Sequence, residues 1–276
     1  IIIIGFRDNI GGDWWTYNAL YETIREKHFI QLFSIKYEFG YLLLNWIVGI
    51  FDLKIYFVNF IVAIIFTSGL FYFCYQQPYK WMGILISIPY LVNVVAMGAT
   101  KQSAALGFVF IAYVFWQKKK PYHYLFFIFL GFLFHKSAFL LTLLVIPILT
   151  TSNIILIVTL GSLLSIYQFH SIVQEYSSYF FNNIRQTIAG GAYIKIFMNF
   201  FAGIIYFLFI SKNNKFKSDR LLYIQITILT ILLLVATPIA SAAAERFSLY
   251  FIPLQIVAFT RLISIINSQA IRLTVI

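Results

Sequence analysis

Three pairs of polar residues interrupt long apolar runs in this chain of 276 residues. The pairs are Lys101-Gln102, His135-Lys136 and Glu245-Arg246, and each is followed within two residues by a serine. A charged side chain at the middle of a bilayer costs about 2.5–3.5 kcal/mol even on the lenient insertion scale. Cationic groups bind anions, and imidazole and carboxylate groups transfer protons. We therefore expect the three pairs to mark a functional site.

The first two pairs have different candidate roles. Lys101-Gln102 stands where one apolar run ends and the next begins, and donor groups at a helix start bind anions such as phosphate. A lysine that merely extends to the membrane surface is the alternative. In the second pair, the imidazole of His135 could carry a proton near neutral pH beside the charge of Lys136. A hydrogen-bonded structural histidine is the alternative there.

The third pair follows a helix break at Pro238 and a run of small residues at 240–244. Small residues allow helices to approach closely. We expect Arg246 to bind an oxyanion or phosphate, and Glu245 to orient that arginine or a hydroxyl group. The alternative is that the two residues pair with each other and only close a helix end.

The opening loop carries a further carboxylate. In FRDNIGGDWWTYN, Gly11 and Gly12 allow the backbone to turn tightly just before Asp13. Close to the membrane and beside Arg7, this carboxylate could act as a general base or orient a hydroxyl group. The alternative is a solvated loop, which we favour for Asp8.

The composition is that of a polytopic membrane protein without a soluble domain. The chain is 61% hydrophobic and only 11% charged, with a mean hydropathy of +0.87, whereas soluble domains carry roughly 25% charged residues. The net charge of +11 is scattered among apolar runs, which does not indicate nucleic-acid binding. The single cysteine excludes a disulfide framework, and no zinc or phosphate-loop motif is present. We predict no metal and no cofactor.

Apolar runs of about 17–25 residues predict a transmembrane helix bundle that forms one all-α domain over 1–276. The stub 1–5 would be one more span beside the nine. The segment 39–51 would be about 20 Å long as a helix, so we predict a re-entrant or interfacial half-helix. An amphipathic helix within 16–33, capped by Thr16, is expected along the membrane surface. The nine predicted spans are 55–76, 81–99, 102–117, 122–135, 137–150, 153–170, 194–211, 221–240 and 248–266.

Lysine and arginine in short loops predict the orientation. The basic segments 117–123 and 212–220 are placed in the cytoplasm, which places loops 6–54 and 171–193 outside. Eight of the nine acidic residues, and all three polar pairs, then fall on the outer face. If 39–51 crossed the membrane, residues 6–36 would move to the cytoplasm. Loop 171–193 combines aromatic and amide side chains with Arg185, which suits sugars; an interfacial aromatic belt is the alternative.

The order of these motifs along one chain resembles the EpsG/Wzy-like family of bacterial O-antigen and exopolysaccharide polymerases. The resemblance covers most of the chain, although the family commonly has arginine where this chain has Lys101, which loses the bidentate fork. The matching positions are Arg7, Gly12, Asp13 and Tyr17; Glu38, Gly40 and Tyr41; Lys101, Gln102, Ser103 and Ala105; Phe134 to Ala138; and Glu245, Arg246, Ser248 and Tyr250.

The resemblance implies a metal-independent membrane glycosyltransferase, with a fold similar to the GT-C class. Donor and acceptor would be polyprenyl-pyrophosphate-linked oligosaccharides at the outer face of the bacterial cytoplasmic membrane. Membrane lipid, a chain-length regulator and a flippase would be further partners. The implied catalytic residues are Asp13, His135 and Glu245. The implied substrate-binding and pyrophosphate-binding residues are Arg7, Tyr17, Glu38, Lys101, Gln102, Lys136, Arg185, Arg246 and Tyr250.

Two other classes compete with this interpretation. A flippase for a lipid-linked anion would place charge along a path through the membrane and show inverted repeats, whereas no repeat is visible here. A membrane acyltransferase acting on polysaccharide would use a histidine near a cytoplasmic thioester donor. The predicted inner loops, however, are simple and basic.

Overall fold

The computed structural model describes residues 1–149, 191–239 and 241–266, and every regular element in these ranges is helical. The first range begins with α1 (Ile2–Gly5), α2 (Trp14–Arg25), a 3-10 helix (Phe29–Ser34), α3 (Phe39–Ile50) and α4 (Ile55–Tyr75). It continues with α5 (Lys80–Ser87), a π-helix (Ile88–Ala96), α6 (Thr100–Gln117), α7 (Pro121–Phe134) and a long 3-10 helix (Lys136–Ile148).

The later ranges add four more α-helices to those of the first range. They comprise α8 (Ala192–Ile205) with a π-helical end (Tyr206–Ile210), a 3-10 helix (Asn214–Asp219), α9 (Arg220–Ala236), α10 (Ser241–Ser248), a 3-10 turn (Leu249–Phe251) and α11 (Pro253–Ile265). Proline stands in the first turn of both α7 and α11, where its missing N–H has no helical acceptor to lose.

Helix α6 is the centre of the first group, because it packs between α4 and α7. The long 3-10 helix packs against α7 and also contacts α6. Two of its carbonyl groups accept hydrogen bonds from buried aromatic side chains: Tyr124 Oη donates to Leu141 O at 2.5 Å, and Trp116 Nε1 donates to Leu144 O at 2.7 Å. These bonds matter because a buried polar group without a partner costs roughly 1–3 kcal/mol.

Helix α8 is the centre of the second group and contacts α9, α10 and α11. A buried amide network fixes three of these helices to one another. Asn199 Nδ2 donates to Ser248 O at 2.8 Å, and Gln255 Nε2 donates to Asn199 Oδ1 at 2.7 Å. Both groups of helices share one apolar core.

The all-helical class and the apolar helices agree with the predicted membrane protein. Within the described residues, three helices are long and apolar enough to cross a membrane: Ile55–Tyr75, Ala192–Ile210 and Asn214–Ala236. A fourth candidate is the pair Ser241–Phe251 and Pro253–Ile265, which is bent by 41°. The count of nine to ten spans and the similarity to the GT-C class stay predictions, and the predicted span 153–170 lies outside the described residues.

The structure adds the helix type to two predicted spans and corrects one predicted helix cap. The predicted span 81–99 is an α-helix that widens into a π-helix next to Pro89, a residue that lacks the N–H needed for the α-helical ladder. The predicted span 137–150 is largely 3-10 helix. Segment 39–51 forms a helix of 12 residues, and its placement in the membrane stays a prediction. Thr16 does not cap α2, because Asp13 occupies the N-cap position.

Candidate functional site

A polar cavity of about 420 Å³ lies where the start of α6, the end of α7 and the start of α2 meet. We call it the His135 cavity. All three polar pairs contribute to its wall, although they are far apart in the sequence. Eight of the predicted site residues line it: Asp13, Tyr17, Glu38, Lys101, Gln102, His135, Lys136 and Arg246.

The wall of the His135 cavity carries an excess of positive charge. Four basic and two acidic side chains line it, which favours an anionic ligand. No three His, Cys, Asp or Glu side chains of the described ranges form a group that could hold a metal ion. Because of its excess of cations, the wall can bind phosphate-like groups through side-chain ammonium and guanidinium groups.

The Glu38–Lys101 ion pair forms one side of the cavity. The Lys101 ammonium donates to Glu38 Oε2 at 2.8 Å and lies 4.8 Å from the centre of the Tyr37 ring. Burial alone would raise the pKa of the Glu38 carboxyl group, but the adjacent ammonium and its hydrogen bond lower it below its ordinary value. Glu38 is therefore ionised at neutral pH and holds Lys101 in place.

His135 lies in an extended joint between α7 and the long 3-10 helix, and neither of these two helices is among the candidate membrane spans of the described residues. Its Nδ1 is 2.6 Å from Ser137 Oγ and 3.3 Å from Tyr250 Oη, and its Nε2 is 3.3 Å from Gln102 Nε2. Ser137 Oγ in turn donates to Tyr250 Oη at 3.2 Å. This network suits a proton on Nδ1, which leaves Nε2 as an acceptor on the side of Gln102.

Burial is the main reason why His135 is neutral. It lowers the pKa of the imidazole to about 4, and three neighbouring positive charges act in the same direction, while Glu38 partly opposes them. A neutral imidazole can accept a proton, which a permanently protonated one cannot.

Gly40 allows the Glu38 segment to approach His135. A side chain at Gly40 would place its Cβ 2.8 Å from the Leu133 carbonyl oxygen, which belongs to the last turn of α7. Only a residue without Cβ permits this contact between α3 and α7. The tight turn predicted before Asp13 is also confirmed, because Gly11 has a φ of +101°.

Arg7 lies beneath the cavity and does not line it. It is 4% exposed, and its guanidinium group donates to Ile4 O and Thr100 Oγ1, both at 2.6 Å, and to Asn59 Oδ1 at 3.3 Å. These bonds fasten the opening loop to α4 and to the first residue of α6. Arg7 therefore positions the helix start that carries Lys101.

The remaining predicted residues lie behind the wall or outside the described ranges. Tyr250 is buried behind His135, where it belongs to the hydrogen-bond network of the imidazole. The Glu245 carboxylate accepts a hydrogen bond from the Lys195 ammonium on α8. It does not line the cavity, whereas its neighbour Arg246 does. Arg185 lies outside the described residues.

Sequence reasoning missed four residues of the cavity wall: Thr16, Lys36, Tyr37 and Ala99. The signal for two of them was present, since Lys36 and Tyr37 directly precede Glu38. It also missed Lys195 as the partner of Glu245. Nothing in the local sequence around Lys195 indicates that partner.

Comparison with known proteins places the whole chain in one family. The family model described as the EpsG family matches residues 1–276. The chain belongs to the EpsG family. This confirms the predicted resemblance and indicates a membrane polysaccharide polymerase with glycosyltransferase-like chemistry. No curated protein sequence and no solved structure matches this EpsG-family protein.

Proposed function

We propose that this EpsG-family protein polymerises lipid-linked polysaccharide repeat units. It would transfer a glycan from a polyprenyl-pyrophosphate donor to a second lipid-linked unit at the outer face of the bacterial cytoplasmic membrane. The observation that carries the proposal is the His135 cavity, whose wall combines an excess of cations with the carboxylate of Asp13 and the neutral imidazole of His135.

The cations of the cavity would bind the leaving pyrophosphate. Lys101, Lys136 and Arg246 line one cavity together with Lys36. Charge develops on the bridging oxygen when the glycosidic bond breaks, and fixed cations stabilise that charge more strongly in a partly buried site than in water. Arg7 contributes indirectly, because it holds the start of α6 through Thr100.

The proton of the acceptor hydroxyl group needs a base. The hydroxyl oxygen attacks the anomeric carbon, the bond to pyrophosphate breaks, and the proton passes to the protein. We assign this role first to Asp13 and second to His135, whose imidazole is neutral. Glu38 forms an ion pair with Lys101, and Glu245 forms one with Lys195. We therefore assign both carboxylates a positioning role rather than that of the base.

The test replaces Asp13→Asn, His135→Gln and Arg246→Ala singly in a producing strain, and measures the length distribution of surface polysaccharide. We expect a shift from long chains to single repeat units at an unchanged protein level. Loss of a general base lowers the rate by about 10²–10⁴, which is enough to remove long chains.

Matched controls change the same residue types outside the cavity wall. Asp8→Asn alters a carboxylate of the same loop that accepts a hydrogen bond from Tyr56 Oη. His123→Gln alters a histidine stacked on Phe115 near the other end of α7. Unchanged chain length in all three cavity variants would overturn the proposal. Loss of single repeat units as well as long chains would favour a flippase instead.

A further inference from the structure

A second polar pocket lies at the opposite end of α6 from the His135 cavity. Its volume is about 440 Å³, and Gln117, the last residue of α6, is part of its wall. Helix α6 has 18 residues, so the two sites are separated by roughly 27 Å along its axis. We call the second site the Arg261 pocket. The roles assigned to the first cavity use none of its residues.

The floor of the Arg261 pocket is a closed ion pair. Arg261 donates to Asp219 through Nη1 at 2.9 Å and Nη2 at 2.5 Å, and both residues are at least 95% buried. The guanidinium plane also lies 4.5 Å from the centre of the Phe216 ring. Because this fork neutralises the carboxylate, the charge that the pocket offers a ligand is that of Lys215, which lines the rim.

The rest of the wall is rich in hydrogen-bonding groups. Three glutamines, Gln76, Gln77 and Gln117, line the pocket together with Ser218. Carboxamides supply both N–H donors and carbonyl acceptors, and a lysine supplies three N–H donors for phosphate oxygens. This set matches a ligand that carries one phosphate group and neighbouring hydroxyl or ester groups.

Exposed aromatic residues next to the pocket are of the kind found at the level of lipid headgroups. The Lys80 ammonium lies over two aromatic rings at this end of the bundle, 4.9 Å from the centre of the Tyr75 ring and 6.0 Å from that of the Trp81 ring. Trp81 and Tyr75 are about 70% exposed, at 71% and 68%. Exposed tryptophan and tyrosine beside lysine are typical of the membrane–water interface. These residues favour a ligand that belongs to the lipid headgroup layer.

We propose that the Arg261 pocket binds the phosphate-bearing headgroup of an anionic phospholipid. Lys215 would bind the phosphate, and the glutamine amides would bind the hydroxyl and ester oxygens. The Arg261–Asp219 pair shapes the floor without contributing net charge. This site is separate from the proposed polymerase chemistry and does not depend on it.

The experiment measures lipid binding to the full chain, purified in detergent, by native mass spectrometry. The probes are dioleoylphosphatidylglycerol, dioleoylphosphatidylcholine and glycerol 1-phosphate. We expect phosphatidylglycerol to bind most tightly. Lys215→Gln should weaken its binding about fivefold, the effect of one lysine near an anionic headgroup. The same change at Lys217, an exposed lysine of the same 3-10 helix outside the pocket wall, should weaken it less than about twofold.

A second variant, Gln76→Ala, removes one exposed carboxamide of the wall and should also weaken phosphatidylglycerol binding. Equal effects of the Lys215 and Lys217 changes would overturn the proposal, because they would indicate diffuse surface charge. Glycerol 1-phosphate that binds as tightly as the lipid would also overturn it, in favour of a soluble anion. The readout is lipid affinity, so its failure is distinct from a failure of the polymerase proposal.

Discussion

The two ends of the helix bundle each hold a cation–carboxylate pair, and the two pairs differ in kind. At the His135 cavity, Lys101 and Glu38 meet through one contact of 2.8 Å, and their side chains are 17% and 11% exposed. At the other end, Arg261 and Asp219 meet through two contacts and are 5% and 4% exposed.

The difference lies in what each pair leaves available. The Lys101 ammonium has three N–H donors, and the contact with Glu38 uses one of them. Lys101 can therefore hold a position and still bind a ligand in the cavity. Arg261 and Asp219 neutralise each other through two contacts and are almost fully buried, so this pair fixes helices rather than offering charge to a ligand. The geometry of an ion pair thus separates a binding role from a structural one.

The largest expected loss of stability is for the Arg261–Asp219 pair. Asp219→Asn leaves the buried Arg261 charge without its counter-charge, which costs about 3–5 kcal/mol. We expect the free energy of unfolding to fall by that amount in SDS titration of the protein in dodecyl maltoside. Glu38→Gln should cost no more than about 1 kcal/mol, since that pair is partly exposed. Equal losses for the two variants would remove the distinction between the pairs.

The next effect concerns the close approach that places Glu38 near His135. Gly40→Ala would bring a methyl group 2.8 Å from the Leu133 carbonyl oxygen, and such overpacking costs about 1–3 kcal/mol. The Glu38–Lys101 pair would also move relative to His135, so we expect shorter polymers. Gly98→Ala is the matched control, because its new Cβ would meet nothing within 4 Å. If both variants behave alike in unfolding and polymer length, the contact does not position the site.

The third effect is a pH dependence of stability, and it is smaller than the previous effect within any single pH unit. The pKa of His135 is about 4 in the folded protein and 6.5 ordinarily, so the unfolded chain binds a proton that the folded chain does not. Stability should therefore fall as the pH drops from about 6.5 to about 4, by at most about 1.4 kcal/mol per pH unit. His135→Gln should reduce this slope. An unchanged slope would place the titrating group elsewhere.

The smallest effect is expected for Lys101→Arg. The change keeps the charge and adds a planar fork that can bind Glu38 through two N–H groups. We expect the mean polymer length to change by less than about twofold, because one pairwise contact near a surface is worth no more than about 1 kcal/mol. Loss of long chains in this variant would show that the single-contact geometry of lysine is essential.

The sequence allowed the polar pairs to be identified because charge inside an apolar run is costly and therefore conspicuous. The structure brings Lys101, His135 and Arg246 to one cavity. Their partners could not be predicted in the same way. Glu245 and Lys195 are 50 positions apart, and Arg261 and Asp219 are 42 apart. Such pairs depend on how each helix is rotated about its axis, which hydropathy does not encode.

The type of helix was also beyond the sequence pattern. An apolar run of 14 residues indicates a buried helix but has no feature that separates α from 3-10 or π geometry. In the long 3-10 helix, the carbonyl groups of Leu141 and Leu144 accept bonds from Tyr124 and Trp116. The local sequence specifies neither these two tertiary hydrogen bonds nor the 3-10 pattern of backbone hydrogen bonds that they accompany.

The long 3-10 helix affects how membrane spans should be identified in such proteins. Its 13 residues rise about 2.0 Å each, so they reach about 26 Å, nearly the length of an α-helix of 18 residues. A search that converts residue number into bilayer depth with the α-helical rise would assign this segment about 20 Å and reject it. In chains of this composition, segment length in ångströms rather than in residues is the quantity to compare with membrane thickness.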